Sequence, residues 1–359
     1  MQHEGRRGTQ RARLVLETGV RPVALAAKPS TQQLFVANQE DPFLTYVDVA
    51  AGSASPSEDI GSGSFSVVYH PETDAVVVAT LAGAVVTLAP RVGRVRHRST
   101  VYDEPLMVHP HSDTAVILTC WGRVCLFDIA LFQVRREVAM EGTPVRVLGL
   151  GGGRIVVHSY GRTVRDDDIL SVVDIDSGLV VAQLPVARSV RALIVDRERH
   201  RILATMDPSG ELLVFDFDLR LLSSYMVGEK PVELAFVDEG SVLCIGSHGS
   251  IAFVDPLSMH TLTVLPRASG WGEFAYDASA AILYIMNLST LSIDVIDLRL
   301  REVAATMSSG IERTGLTVEG ATLFDQENRT LIIASAGSSD STGRYLGKGV
   351  VMVFDALRA

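Results

Sequence analysis

Apolar runs alternate with turn residues between residues 189 and 217, and the pattern predicts three short strands. Residues 189–196 read SVRALIVD, residues 201–205 read RILAT, and residues 211–217 read ELLVFDF. The second run is apolar throughout, which is typical of a strand buried on both faces. The third run contains an apolar-Asp pair, Phe215-Asp216, and this pair marks the end of the predicted unit.

The same apolar-Asp pair recurs along the whole chain. Its seven copies are Val47-Asp48, Phe127-Asp128, Val173-Asp174, Phe215-Asp216, Val254-Asp255, Ile296-Asp297 and Phe354-Asp355. An eighth unit has Ala89 where the aspartate is expected. From Asp128 to Asp297 the copies are spaced roughly 40–45 residues apart, and several short strands per unit at this period indicate a β-propeller.

The repeat predicts the organisation of the chain as well as its fold class. We expect an all-β protein made of a single eight-bladed β-propeller at residues 13–359, preceded by a disordered basic tail at residues 1–12. Seven blades is the alternative, if the weak second or eighth unit is irregular. The last unit ends without residues for an outermost strand, so Leu14–Glu17 is predicted to supply it and to close the propeller.

Charge and cysteine content narrow the function classes. The formal net charge of −10 argues against non-specific binding to nucleic acid or to an anionic membrane. The three cysteines, Cys120, Cys125 and Cys244, are odd in number and form no C-x-x-C motif, so a reducing compartment is expected. We predict a cytoplasmic protein, with organelle import left open by the arginines of the tail. No cofactor, metal site or catalytic residue is expected, because no known motif for them occurs.

Aligning the first strands of the units brings charged residues into one predicted column. The column holds Ala24, Ser66, Pro105, Arg146, Arg191, Glu233, Glu273 and Gly320. First strands line the central channel of a propeller, so two arginines and two glutamates would lie near one mouth. The column is either a pocket for a polar ligand or peptide, or a set of ion pairs that satisfies buried charges.

The loops between second and third strands are expected at the same mouth. One of them carries Trp121 and Arg123, and we predict a protein contact there because Trp and Arg dominate interface energies. Simple packing of Trp121 within its loop is the alternative. The enlarged loop of the fourth unit ends in three successive aspartates, residues 166–168, which are predicted to form a solvated acidic turn. The aspartates of the repeat are expected to accept hydrogen bonds from turn amides.

The first unit resembles a known repeat. Residues 22–25, 33–38 and 45–52 read PVAL, QLFVAN and TYVDVAAG, and this pattern resembles the YVTN-type propeller repeat and the wider WD-repeat superfamily. The resemblance covers all eight units and is strongest in the first, fifth and sixth. It implies the propeller fold, which lactonases, surface proteins and many scaffolds share.

Two functions follow as hypotheses. The first is a non-catalytic scaffold that mediates protein–protein interaction within a larger assembly, with protein partners that the sequence does not identify. The alternative, favoured by the YVTN-like repeat, is a small-molecule hydrolase of the lactonase kind at the channel mouth. In that case Arg146 and Arg191 would hold an anionic substrate, and Glu233 or Glu273 would act as the base.

Overall fold

A computed structural model describes residues 11–101, 104–111, 114–163, 166–186, 189–266, 274–287, 292–308, 320–335 and 348–356. Residues 1–10 of the predicted basic tail, Glu273 and most of the glycine- and serine-rich insertion of the last unit lie outside the described residues.

The described chain is built of β-strands, which form eight four-stranded sheets. Blades 1 to 4 contain β2 (Pro22–Ala27), β3 (Gln33–Asn38), β4 (Thr45–Asp48), β5 (Ser53–Pro56); β6 (Ser64–His70), β7 (Ala75–Thr80), β8 (Ala84–Leu88), β9 (Val95–Thr100); β10 (Pro105–His111), β11 (Thr114–Thr119), β12 (Arg123–Asp128), β13 (Gln133–Ala139); β14 (Thr143–Gly151), β15 (Arg154–Tyr160), β16 (Asp168–Asp174) and β17 (Leu179–Val186). Blades 5 to 7 contain β18 (Val190–Asp196), β19 (Arg201–Met206), β20 (Glu211–Asp216), β21 (Leu221–Met226); β22 (Pro231–Val237), β23 (Val242–Ser247), β24 (Ser250–Val254), β25 (Thr261–Pro266); β26 (Phe274–Asp277), β27 (Ile282–Asn287), β28 (Ser292–Asp297) and β29 (Glu302–Ser308). Blade 8 contains β30 (Gly320–Asp325), β31 (Thr330–Ser335), β32 (Val350–Asp355) and β1 (Leu14–Glu17).

The prediction of an all-β, eight-bladed propeller is confirmed, and the seven-blade alternative is wrong, because every unit forms its own four-stranded sheet. In each blade the strands follow one another as antiparallel neighbours, as the repeat requires. The one helical segment in the described part of the chain is a 3₁₀ turn at Asp238–Gly240. Among the same residues no helix has the length and apolar character needed to cross a membrane.

Closure by the N-terminal strand is also confirmed. Strand β1 pairs antiparallel with β32, from Leu14 opposite Val353 to Glu17 opposite Val350. The amide of Thr18 extends the ladder by donating to the Gly349 carbonyl at 2.8 Å. The first described strand and the last therefore share one sheet.

The two compact units of the chain are each held by stacked blades. The first comprises the described parts of residues 1–36, 45–55 and 232–359, and the second comprises residues 37–44 and 56–231. In the second unit, buried clusters join blade 2 to 3, 3 to 4 and 4 to 5. In the first, similar clusters join blade 6 to 7, 7 to 8 and 8 to 1. Both faces of a blade are apolar and must be removed from water, so the stacking of neighbouring blades forms the core.

Burial within a blade follows the strand order. Second strands such as β7 and β11 are buried along their whole length, which explains their continuous apolar sequences. Outermost strands such as β9 and β21 are mostly exposed. Each blade therefore places its inner strands in the core and presents its outer edge to solvent.

The repeat aspartates serve the blades, as predicted. Their Oδ1 atoms accept hydrogen bonds from amides of the following turn in six units, at Asp48, Asp128, Asp174, Asp216, Asp255 and Asp297. Such a bond fixes the turn between the third and outermost strands. Because the same contact recurs from blade to blade, these carboxylates are part of the scaffold.

Candidate functional site

The turn between β11 and β12 exposes a tryptophan. The side chain of Trp121 is 73% exposed, so little of the indole packs within the loop. The next residue, Gly122, has a φ of +80° and lies so close to the Gly142 carbonyl that a Cβ would be 2.9 Å from its oxygen. The turn thus needs its glycine for geometry, whereas most of the indole is exposed.

The turn of blade 2 that corresponds to the Trp121 turn has a small residue at the tryptophan position. It has the sequence Leu81-Ala82-Gly83, and Val101 donates to the Gly83 carbonyl at 2.8 Å just as Met140 donates to the Gly122 carbonyl. An exposed alanine occupies the position of Trp121 there. Blade 3 therefore exposes a large aromatic side chain where blade 2 has a small one.

Arg123 follows this turn as the first residue of β12. Its Nη1 atom donates to Glu137 Oε2 on the neighbouring strand β13 at 2.7 Å. The Arg123 side chain is about half exposed and lies two residues after Trp121 in the sequence. Its contact with Glu137 directs it toward β13, the outermost strand of blade 3. An ion pair at such an exposed site contributes little to stability.

The surface continues from the Trp121 turn into blade 4. Thr143 Oγ1 donates to the Cys120 carbonyl at 3.4 Å, and a Cβ on Gly142 would lie 2.1 Å from the Tyr160 carbonyl oxygen. Gly142 has a φ of +79°, so both its conformation and its surroundings require glycine. Close backbone contacts therefore connect the Trp121 turn to the end of β15.

A cavity of about 450 Å³ opens at this end of blade 4. It is lined by Thr143, Tyr160, Gly161, Arg162, Thr163, Asp166, Asp168 and Ser189. Four of the eight residues lie in the enlarged loop between β15 and β16, which the sequence singles out, and Tyr160 and Asp168 are the strand ends on either side of it. A volume of this size is within the range of ligand-binding clefts.

Asp168, which lines the cavity, forms a buried pair with His158. His158 Nε2 lies 2.9 Å from Asp168 Oδ2, and the histidine side chain is 1% exposed. The same carboxylate oxygen accepts a hydrogen bond from the Val190 amide of blade 5 at 2.9 Å. The histidine ring packs edge-on against the Tyr160 ring, with centroids 5.3 Å apart. The pair thus ties blade 4 to blade 5 and supports one wall of the cavity.

Arg146 on β14 and Arg191 on β18 do not lie in one column. The register of β18 skips Arg191, which is the extra residue of a β-bulge, whereas the extra residue of β14 is Val145. The bulge stands at the same place in both strands, so Arg191 is the counterpart of Val145, and Arg146 is the counterpart of Ala192. The predicted alignment of the two arginines is therefore wrong by one residue. They still meet, since Arg146 Nη1 donates to the Arg191 carbonyl at 2.9 Å.

The predicted column also contains Glu233 and Glu273. Arg191 Nε lies 3.8 Å from Asp207 Oδ2, on the chain that follows β19. Glu233 is half-buried on β22, where its Cβ lies close to Gly246, and Glu273 lies outside the described residues. Among the described residues, no group of three or more His, Cys, Asp or Glu side chains could hold a metal ion.

Sequence reasoning missed His158, Tyr160 and Ser189. The histidine and tyrosine lie in a strand that reads as ordinary core, and Asp168, the partner of His158, follows only after the enlarged loop. Ser189 was read only as the start of a strand, but it has a φ of +66° and lines the cavity. The one sequence signal was the enlargement of the loop itself.

Comparison with known proteins supports the fold alone. No protein-family model and no curated protein matches the sequence. Among solved structures, Sqt1 from Saccharomyces cerevisiae is similar, with a TM-score of 0.75 and 12% identity over 98% of this chain and 100% of that one. Sqt1 from Chaetomium thermophilum, solved bound to the N-terminus of the ribosomal protein L10, has a TM-score of 0.76 and 16% identity over 97% of this chain and 100% of that one. The computationally designed Ika8 protein has a TM-score of 0.72 and 14% identity over 97% and 100% of the two chains.

Proposed function

We propose that this chain is a non-catalytic β-propeller scaffold that mediates protein–protein interaction within a larger assembly. The observation that carries the proposal is the exposed indole of Trp121, at a turn whose counterpart in blade 2 has only alanine. We name the surface formed by residues 120–123, 142–143 and 160–163 the docking face. Arg123 belongs to it, and Arg146 and Arg191 are proposed to contact the partner at its border.

The similar structures are consistent with such a role. The Chaetomium thermophilum Sqt1 was solved bound to a terminal segment of another protein. By analogy, we propose that the docking face receives a segment of a partner protein. The YVTN-type resemblance, the cytoplasmic location and the contribution of Glu233 and Glu273 stay predictions.

The hydrolase alternative gains no specific support from the described residues. The Arg146 guanidinium is directed to a backbone carbonyl, and Arg191 Nε lies near a carboxylate. Both contacts are also explained by a purely structural role of the arginines, so they do not favour binding of an anionic substrate. Glu273, one of the two candidate bases, lies outside the described residues.

Affinity purification from the native source tests the scaffold proposal with two alanine substitutions. Trp121→Ala removes the indole from the docking face, and Leu131→Ala removes an equally exposed apolar side chain, 68% exposed, from the turn between β12 and β13 at the other end of the same blade. We expect wild type and Leu131→Ala to retain the same partner, and Trp121→Ala to lose it by about tenfold or more, as for an interface hot spot. The measurement is quantitative mass spectrometry of the captured proteins.

Two results would count against the proposal. One is a wild-type protein that enriches no partner and elutes from native extract at monomer mass. The other is equal capture by Trp121→Ala and Leu131→Ala, which would place the interface elsewhere.

A further inference from the structure

Two buried serines of blade 4 have hydroxyl groups that make no hydrogen bond with any other described residue. Ser159 on β15 and Ser171 on β16 are both 0% exposed, and neither Oγ atom has a partner in the described part of the chain. Buried polar side-chain groups in folded proteins are mostly hydrogen-bonded to protein or to ordered water. We propose that the two hydroxyls bind one buried water molecule between blades 3 and 4, at a site that does not depend on the proposed scaffold function.

The two serines lie on the same face of the sheet. Ser171 pairs directly with Val157 in the ladder of β15 and β16, and Ser159 is two residues further along β15. Side chains two residues apart on a strand share a face, so Ser159 and Ser171 are diagonal neighbours. Val157 belongs to the buried cluster that joins blade 3 to blade 4, so both hydroxyls lie at that interface.

The spacing of the two serines suits a bridge through one water molecule. The Cα atoms of diagonal neighbours in an antiparallel sheet are about 7–8 Å apart, and their side chains are closer. A water molecule that makes two hydrogen bonds of about 2.8 Å joins oxygens separated by such a gap. A buried water needs at least two polar partners, which the two Oγ atoms provide.

Room for a water molecule comes from the small size of both serines. The residues that correspond to Ser159 and Ser171 in neighbouring blades form larger pairs, which are Thr80 with Val86 in blade 2, Thr119 with Cys125 in blade 3 and Met206 with Leu213 in blade 5. Protein interiors are close-packed, so a smaller pair at the same position of the repeat leaves space for another group. Because two polar oxygens line that space, the group is water and not an apolar side chain.

The threonines at the position of Ser159 use their hydroxyls differently. Thr80 Oγ1 accepts a hydrogen bond from the Ala84 amide at 3.2 Å, and Thr119 Oγ1 donates to the Arg123 carbonyl at 3.4 Å. Both bonds reach the residue that lies opposite on the third strand. Ser159 has Ile169 at that place but makes no such bond. Its hydroxyl therefore keeps a donor and an acceptor for water.

The water site lies beneath the docking face. A Cβ on Gly142 would be 3.4 Å from the Ser159 Cβ, so this serine packs directly against the turn that begins β14. The bridge would join β15 to β16 on the side of the blade that faces the Trp121 turn.

A high-resolution crystal structure of the full-length chain tests the inference directly. We expect one spherical density peak within about 2.7–3.0 Å of both Oγ atoms. Absence of a peak there, or a direct hydrogen bond between the two serines, would overturn the inference.

Denaturant unfolding provides an independent test with Ser159→Ala, Ser171→Ala and the double variant. Each single substitution should raise the equilibrium constant for unfolding about fivefold, because the bound water loses one of its partners. The double variant should raise it by much less than the product of the two single effects, since both hydroxyls hold the same water. Alanine fits wherever serine does, so all three variants are expected to fold.

Two unfolding results would also overturn the inference. In a dry interface, removal of an unsatisfied hydroxyl is neutral or stabilising, so an unfolding constant that stays the same or falls in either single variant excludes the water. Single effects that multiply in the double variant would show that the two hydroxyls share no ligand. Either failure leaves the scaffold proposal standing, because that proposal is decided by partner capture with Trp121→Ala.

Discussion

At the scale of single residues, the repeat aspartates show how one residue per blade supports the fold. Asp128 is buried at the end of β12, where its Oδ1 atom accepts from the Leu131 amide at 2.7 Å and its Oδ2 atom lies 2.6 Å from Arg135 Nη2. Burial acts to raise the pKa of Asp128, but the hydrogen bonds from Leu131 and Arg135 outweigh it and hold the pKa below its ordinary value of 3.8.

Two substitutions of Asp128 separate the turn contact from the ion pair. Asp128→Asn keeps an acceptor for the Leu131 amide but loses the charge that faces Arg135, and should lower the free energy of unfolding by about 1 kcal/mol. Asp128→Ala loses both contacts and should cost about 2–3 kcal/mol. Denaturant unfolding at neutral pH measures both values, and equal losses would show that the turn contact contributes nothing.

The same carboxylate predicts a pH dependence. Because the folded pKa is depressed, the stabilisation is present above the unfolded-state value near 3.8 and is lost as the pH falls through the folded value. The stability difference between wild type and Asp128→Asn should therefore shrink below about pH 4. A difference that stays constant down to the acid transition would contradict this role of the charge.

At the scale of elements, β1 carries more weight than its length suggests. Leu14 and Leu16 pack against the cluster of blades 8 and 1, whereas Val15 is exposed. Outside the strand itself, Arg13 pairs with Asp355 at 3.0 Å. Without β1, the edge of β32 would be left as an unpaired strand, which is a template for aggregation.

Two truncations test the closure. Deleting residues 1–18 should lower the melting temperature by about 5 °C or more, because the ladder bonds of β1 contribute about 0.5–1.5 kcal/mol each. Deleting residues 1–11 leaves the strand intact and should change the melting temperature by less than about 1 °C. Equal melting temperatures for full-length protein and the 18-residue truncation would show that β1 does not close the propeller.

The positions of the strands could be predicted from the sequence, but the bulges and the contacts of the candidate site could not. The run RILAT at residues 201–205 lies within β19 because a buried second strand needs continuous apolar residues. Bulges leave no such signal: Arg191 and Val145 are both extra residues, yet one is charged and the other apolar. The pairing of His158 with Asp168 depends on how a long loop folds back, which local pattern does not record.

At the scale of the whole molecule, the propeller separates stability from recognition. Blades repeat the same buried strands and the same aspartate turns, so the fold tolerates variation in the loops between second and third strands. In this loop blade 2 has Ala82 and blade 3 has Trp121, whereas blade 4 has an enlarged loop with a cavity. Function is therefore expected where the repeat is broken.

Hydrogen exchange of the natural complex tests the docking face most directly. With a partner captured by the wild-type protein, amides of residues 120–122, 142–143 and 160–163 should exchange more slowly than in the free chain. Amides of the turns at residues 128–133 and 175–179, at the other end of blades 3 and 4, should exchange at the same rate in both states. Slower exchange confined to those turns or to the outer strands β13 and β17 would contradict the assignment of the docking face.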